Sequence, residues 1–380
     1  MFRTLIAMVF LCVSLVSAVL ANDVNKLTIE EQRLPDAEKA MTGLLAPFAK
    51  PLAAIARLDT SNTLDQIADI GREGFNIGKR IAQQQADDRP LYWFRLAANA
   101  KFRSLDLPAE TKAQWIDRFE LESRGFGTAV FSKAKIRILV TGFDPFFLDR
   151  HIDQSNPSGL AALLLDNELL TADGTSAEVQ AVMIPVRFAD FDAGMIEKLL
   201  MPYFKYNKVD MVVTISMGRD GFDLERFPGL RRSAEAPGNL NVLTGATSQA
   251  PLVPLLQGQP LRGPEFLEYS LPAAEMISLA QEMNAPFPVT DNRNVETLTG
   301  KKSPASLAEL KGETSVQGSG GGYLSNEISY RSIRLRNLIG SKVPVGHIHT
   351  PKVKAYDKEK ELQIVDQIKL MLAAAIPTLH

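Results

Sequence analysis

The sequence predicts an α/β protein in which a mixed, mainly parallel central sheet is flanked by helices and preceded by an all-helical N-terminal region. Two observations carry this prediction. Residues 22–134 read as helical throughout, with apolar side chains three and four apart. From Lys135 onward, short runs rich in Val and Ile alternate with amphipathic stretches, as strands do when crossover helices join them. At 380 residues the chain is long enough for two domains. Its 45% hydrophobic and 23% charged residues with net charge −2 describe a globular protein without the basic excess of a nucleic-acid binder.

Residues 1–21 combine Arg3, an apolar run from Leu5 to Leu20, and small residues Val19 and Ala21. They predict a secretory signal peptide cleaved after Ala21, hence an exported protein, periplasmic or secreted, with no membrane contact beyond that segment. An uncleaved anchor is the alternative. Cys12, the single cysteine, would leave with the signal. The mature chain would then form no disulfide and run no cysteine chemistry.

In the region 22–134, residues 36–58 carry Leu44, Leu45, Phe48, Leu52 and Ile55, with Pro47 and Pro51 predicted to break them into short pieces. A helix over 63–86 turns Leu64, Ile67, Ile70, Ile77 and Ile81 inward. Pro90 opens a third helix through Tyr92, Trp93, Leu96 and Phe102, and Pro108 is the predicted first residue of a fourth that bears Trp115 and Phe119. These aromatics are a core, and no catalytic constellation accompanies them.

The region 135–380 predicts strands at 136–141, 178–186, 209–216, 222–227, 286–290 and 342–349. Helices are predicted at 158–170, 188–204, 273–283, 325–338 and 358–375, and the polar stretch 291–318 reads as a surface insertion. In such sheets ligands sit at the carboxyl ends of the strands.

Four stretches can carry chemistry. The run GSGGGYLSNEISYRSIRL at 318–335 delivers Ser325 to the start of a helix, where the serine is either an N-cap or a nucleophile favoured by the helix's unpaired N–H groups. ILVTGFDPFF at 138–147 ends a strand on Phe143 and Phe146, which are either core residues or the lining of an apolar pocket. GRDGFDLER at 218–226 offers Glu225, for a cleft or for a surface ion pair. VPVGHIHTP at 343–351 puts His347 and His349 on one face of a strand, a spacing that also suits zinc with Glu225 as third ligand. Ser325, His349 and Glu225 together make a nucleophile, its base and an orienting carboxylate.

These residues bear a family resemblance. VTGFDPFF followed by SNPSG at 155–159 resembles the TGFxPFG and NPS opening of pyroglutamyl peptidase I, the pyrrolidone carboxyl peptidases. DLER is similar to that family's ERvA segment, GGGYLSN to AGTYVCN, and GHIHTP to GFIHVP, in the same order from about Lys135 to the C-terminus. The resemblance implies an α/β peptidase fold, removal of N-terminal pyroglutamyl groups from small peptides with blocked N-termini, and no metal or organic cofactor; the charge balance argues against a nucleic-acid partner, and the sequence leaves an oligomer open. It carries the catalytic glutamate to Glu225, the histidine to His349 and the nucleophilic cysteine to Ser325. Phe143, Phe146, Asn156 and Tyr323 fall at substrate-binding positions. The sequence departs from the family in having Ser at 325 for Cys, Phe147 for Gly, RFPGL after Glu225, and Ala236, Pro237, Gly238 and Asn239 around the family's PDN. An alternative is a catalytically inactive relative that binds peptide N-termini or a partner protein.

Overall fold

The structure, a computed structural model, describes residues 24–131 and 134–379. The predicted signal segment lies outside the described residues. The described chain divides into two compact units, one of residues 24–80 with 90–128, the other of 81–89 with residues from Ala129 onward. Among the described residues no helix is long and apolar enough to cross a membrane.

The first unit is built from helices α1 (Ile29–Gln32), α2 (Leu34–Ala40), α3 (Ala49–Ile55), α4 (Leu64–Gln85) up to residue 80, α5 (Arg89–Ser104) from residue 90, and α6 (Ala109–Glu122). A capping box fixes the start of α1: Thr28 Oγ1 accepts from the Glu31 N–H, and Glu31 accepts from the Thr28 N–H. Residues 36–58 do fall into short pieces, α2, a 3-10 turn at Ala46–Phe48 and α3, but the prolines do not make the break: Pro47 lies inside the turn and Pro51 inside α3, whereas the gap after α2 contains Gly43 at φ +81°. Pro108 sits one residue earlier than predicted, as the N-cap of α6. The aromatics are core. Phe48 stacks on Phe94 at 4.4 Å, and Phe119 packs edge-on against Phe94 at 5.7 Å and tilted against Phe102 at 5.3 Å. Contacts of this kind contribute roughly 0.5–1.5 kcal/mol each beyond burial.

The second unit holds a seven-stranded sheet in the order β2-β3-β1-β4-β12-β5-β8. The strands are β1 (Ile136–Phe143), β2 (Leu169–Ala172), β3 (Thr175–Ile184), β4 (Met211–Met217), β5 (Phe222–Glu225), β8 (Val289–Asn292) and β12 (Val345–Thr350). Strands β3, β1, β4 and β12 run parallel. The outer β2 is antiparallel to β3, and β5 turns antiparallel to β12 before pairing in parallel with β8. The central strands are buried on both faces, which is why they read as continuous apolar runs. Helices α7 (Pro157–Leu165), α8 (Phe188–Asp192), α9 (Met195–Lys205), α10 (Ala273–Glu282), α11 (Leu324–Ile339) and α12 (Lys358–Ala375) complete the unit.

The strand predicted at 286–290 is shifted to Val289–Asn292, and three predicted elements differ in kind or number from the observed ones. The helix predicted at 158–170 ends at Leu165, and part of its tail is strand β2. The helix predicted at 188–204 is two helices, because Gly194 takes φ +85°, a left-handed conformation that an α-helix cannot contain. The polar stretch 291–318 forms a small antiparallel sheet of β9 (Val295–Thr297), β10 (Gly300–Lys302) and β11 (Ser315–Gln317), whose pattern was too short and polar to read as strands. A two-residue ribbon, β6 (Leu255–Leu256) with β7 (Gln259–Pro260), was also not foreseen.

Beneath the start of α7 lies a buried carboxyl pair. Asp88 Oδ2 accepts from the Asn156 N–H at 3.1 Å, Ser155 Oγ donates to Glu361, and one oxygen of each carboxyl has no hydrogen-bond partner. Burial, then the charges of Glu361 and Asp87, push Asp88 well above the ordinary carboxylate range, with the Asn156 N–H and then Arg89 opposing. Burial likewise raises Glu361 from 4.5 to about 7, against the hydrogen bonds from Ser155 and the Asp357 backbone. Carboxyls raised on folding stabilise the fold below their unfolded pKa and lose that contribution as pH rises through the folded value. For Glu361 the window is 4.5 to about 7 and the amount about 3 kcal/mol. Thermal melts are therefore expected to show a higher Tm at pH 5 than at pH 8, and the difference should shrink in Glu361→Gln. A Tm that rises over that window, unchanged by the substitution, contradicts the assignment.

Candidate active site

Strand β1 ends on Gly142 and Phe143, and here the glycine is a steric requirement. A Cβ at Gly142 would lie 2.0 Å from the Ser158 carbonyl oxygen, so a side chain would force α7 off the sheet. Asn156 caps α7, its Oδ1 accepting from the Ser158 N–H and Oγ while its Nδ2 donates to the Asp144 carbonyl. Beyond Phe143 the turn continues to Phe146, and the next residue, Phe147, takes φ +66°. That is a left-handed conformation, which costs a side-chain-bearing residue roughly 1–2 kcal/mol. Phe147 is held there in contact with Phe146, at 4.2 Å between ring centres.

The glycine-rich run leads into α11 by a tight turn in which the backbones of Gly318 and Gly321 exchange hydrogen bonds. A Cβ on Gly318 would meet Asn326 Oδ1 at 2.1 Å and the Gly229 nitrogen at 2.3 Å. This crowding exists because Asn326 clasps Gly229, accepting from its N–H at 2.9 Å and donating to its carbonyl at 2.8 Å. The clasp ties α11 to the segment that follows Glu225. Behind it, Arg232 and Arg331 both pair with Glu327, Arg232 also reaches Asp192, and Arg331 also reaches Glu197. Tyr323 is the N-cap residue of α11 and caps with no side-chain hydrogen bond. Its hydroxyl donates to the Pro237 carbonyl, and its ring meets Phe188 edge-on.

Ser325 is thus not the helix cap. It sits in the first turn of α11, its hydroxyl donating to the Gly320 carbonyl at 3.2 Å. Among the described residues the N–H groups of Leu324 and Ser325 have no hydrogen-bond acceptor, as expected at a helix start. Phe143, Phe146, Asn156, Tyr323 and Ser325 line one small, partly open pocket, together with Val186, Ser216, Met217 and Leu324. The five residues nominated from sequence around this pocket are therefore brought together. The amide of Asn156 is committed to capping and to Asp144, so Asn156 shapes the wall.

Glu225 and His349 are paired. In the β5–β12 ladder His349 stands opposite Asp223, so strand alternation puts Asp223 and Glu225 on the face that carries His349. Glu225 is fully buried, its Oε1 2.5 Å from His349 Nδ1 and its Oε2 accepting from Asn292 Nδ2 at 2.9 Å. Burial raises the Glu225 carboxyl above its ordinary value, and the neighbouring His349 opposes that shift. Asn292 also donates to the Ser319 carbonyl, so one amide links the carboxylate to the glycine-rich turn. The surface ion pair that sequence allows for Glu225 is absent, since Arg226 pairs instead with Asp291 and Glu268.

Of the three nominated catalytic groups, two are hydrogen-bonded to each other and the third is not joined to them. No hydrogen bond connects Ser325 with His349, and His349 Nε2 has no hydrogen-bond partner among the described residues. The zinc arrangement fails on chemistry. Both ring nitrogens of His347 are taken, Nδ1 at 2.8 Å by Thr214 Oγ1 and Nε2 at 2.7 Å by Ser216 Oγ, and Nδ1 of His349 is taken by Glu225. Among the described residues no group of three or more His, Cys, Asp or Glu could hold a metal.

Sequence reading missed Ser216, a pocket-lining serine bonded to an imidazole. Burial, followed by the nearby His349, holds His347 well below the ordinary histidine range. It is therefore a poor base, and its orienting partner is a neutral threonine. Asn292 was missed as well, because a single Asn at the end of a polar strand carries no motif.

A family model described as "PA0049, C-terminal domain" matches residues 137–265 and 282–354, more than half of the chain. The uncharacterized protein PA0049 of Pseudomonas aeruginosa PAO1 is 28% identical over 373 residues, covering 75% of this chain and 66% of that protein. The chain thus spans slightly less than two thirds of that relative's length. Among solved structures, one mutant pyrrolidone carboxyl peptidase from the hyperthermophile Pyrococcus furiosus is similar at 20% identity and TM-score 0.46, covering 64% of this chain and 100% of that one. A second mutant matches at 21% identity and TM-score 0.46 with the same coverage. A structure of the enzyme described with its cysteine-free mutant matches at 20% identity and TM-score 0.45, again covering 64% and 100%.

Proposed function

This chain belongs to the PA0049 C-terminal-domain family, and we propose that it is a serine hydrolase removing N-terminal pyroglutamyl or related groups from peptides. The observation that carries the reading is the buried Glu225–His349 hydrogen bond: with Glu225 accepting as a carboxylate, Nδ1 carries the proton and Nε2, which has no hydrogen-bond partner among the described residues, serves as the base. The motif resemblance described above and the apolar pocket with Ser325 in its wall support it further.

In this mechanism the Ser325 hydroxyl leaves the Gly320 carbonyl and turns to His349. Nε2 takes its proton as Oγ attacks the pyroglutamyl carbonyl, and the Leu324 and Ser325 N–H groups receive the developing oxyanion. The imidazolium then protonates the leaving amine as the C–N bond breaks. Water, deprotonated by Nε2, attacks the ester and releases pyroglutamate, restoring the serine. Phe143, Phe146 and Tyr323 flank the lactam ring, whose apolar faces suit aromatic walls.

Hydrolysis of a pyroglutamyl aminocoumarin by the full chain tests the reading. A second reading, a non-catalytic binder of blocked peptide N-termini, is favoured by one observation: Ser325 is bonded to Gly320 and not to His349. Saturable heat with a pyroglutamyl peptide in calorimetry, without turnover of the coumarin substrate, would replace the first reading with the second.

Ser216 supplies an internal control. Ser216→Ala is expected to retain activity within about fivefold while losing about 1–3 kcal/mol of stability, because the buried His347 Nε2 is left without its hydrogen-bond partner. Loss of activity equal to that of Ser325→Ala would move the nucleophile to Ser216.

A further inference from the structure

The glycine-rich turn has a cavity at each end. Tyr323 and Ser325 line the apolar pocket, whereas Gly318 and Ser319 line a second, open cavity with charged side chains in its wall. The second cavity is built largely by the small sheet β9–β11 and is also lined by Arg219, Lys301, Lys302 and Glu296. It adjoins the dyad. The Ser319 carbonyl accepts from Asn292, the residue that also donates to Glu225, and the Arg219 charge acts on Glu225.

Its charges are unevenly matched. Lys302 is held by Glu313 at 2.7 Å, and Lys301 stands across the β9–β10 ladder from Glu296 with no ion pair formed. Arg219 has no carboxylate partner among the described residues, although Asp220 beside it pairs with Lys352. Two cations, one of them a guanidinium suited to two-pronged contact with a carboxylate, thus face a cavity with one carboxylate in its wall.

We propose that this cavity is the leaving-group subsite and that it selects peptides carrying a carboxylate just beyond the scissile bond. The inference rests on the hydrolase reading. With the pyroglutamyl ring in the apolar pocket and its carbonyl at Ser325, the departing chain passes the glycine-rich turn toward Arg219 and Lys301. The recognised chemistry is a carboxylate, supplied by an acidic side chain or by the free terminus of a dipeptide.

The test compares kcat/KM of the full chain on pyroglutamyl-alanine amide, pyroglutamyl-glutamate amide and pyroglutamyl-alanine with a free terminus. At least one carboxylate substrate is expected to exceed the neutral amide roughly tenfold at low salt, with the excess falling as salt rises. The arm with the excess identifies the source of the carboxylate. Within Arg219→Ala/Lys301→Ala the ratio is expected to fall to about one, and in Arg219→Glu to invert. Equal rates for all three substrates in the unaltered chain, or a ratio that survives the double substitution, overturn the inference while leaving the hydrolase reading intact. If no substrate is cleaved, the hydrolase reading fails separately. Calorimetry with Glu-Ala against Gln-Ala then decides the subsite: tighter binding of Glu-Ala, lost in the double variant, supports it, and no difference overturns it.

Discussion

Ser325→Ala is expected to abolish pyroglutamyl hydrolysis, lowering kcat at least about a thousandfold, while Tm stays within a few degrees. The two halves of this result have separate causes. Among the described residues Ser325 is the one aliphatic hydroxyl that both lines the apolar pocket and lies at a helix start with unpaired N–H groups beside it; the Tyr323 hydroxyl is committed to the Pro237 carbonyl. Removing Oγ removes the atom that forms the ester. Structurally it deletes one partly buried hydrogen bond to Gly320, whose net worth is about 1 kcal/mol. Ser325→Cys is expected to retain or exceed the unaltered rate, because a thiol in the first turn of α11 ionises with help from the helix dipole that is insufficient for a hydroxyl. An Ala variant as active as the unaltered protein would remove Ser325 from the mechanism.

Glu225→Gln is expected to lower kcat by about a thousand- to ten-thousand-fold with little change in KM. The size of the effect follows from the second oxygen. Asn292 cannot turn its amide, since its Nδ2 also donates to the Ser319 carbonyl and its Oδ1 accepts from Asn294. A glutamine must therefore point its NH2 at Asn292, donor against donor, or at His349 Nδ1. The second arrangement is the less costly, and it makes Nδ1 an acceptor, puts the proton on Nε2 and leaves His349 unable to take one from serine. Steady-state kinetics checks the rate, and the nitrogen chemical shifts of His349 report the tautomer. An unchanged tautomer with unchanged kcat would contradict an orienting role for Glu225.

Much of this architecture was legible because the physics was local. The buried strands announce themselves as Val- and Ile-rich runs, and α12 could be read to its ends because its apolar spacing is long and regular. The residues of the pocket were legible from motifs, each placed by an element end. What escaped depended on tertiary context. Strand β2 was read as the tail of α7 because Leu169 and Leu170 continue an apolar run, and only pairing with β3 makes them a strand. The small sheet β9–β11 has three-residue strands of mostly polar composition, below what periodicity can detect. Asn292 and Ser216 act through partners 67 and 131 residues away in the chain, which spacing cannot reveal. The Ser325–Gly320 bond is of the same kind, because whether a serine faces its base or a nearby carbonyl is set by the fold of the turn.

The most direct measurement is the mass of the protein quenched in acid during turnover of a pyroglutamyl aryl ester, followed by peptide mapping. An ester substrate acylates quickly, so the covalent intermediate accumulates. The account predicts one added pyroglutamyl group on the peptide carrying Ser325, absent in Ser325→Ala and scarce in Glu225→Gln. Turnover without acylation, acylation at Ser216, or neither turnover nor acylation would contradict it.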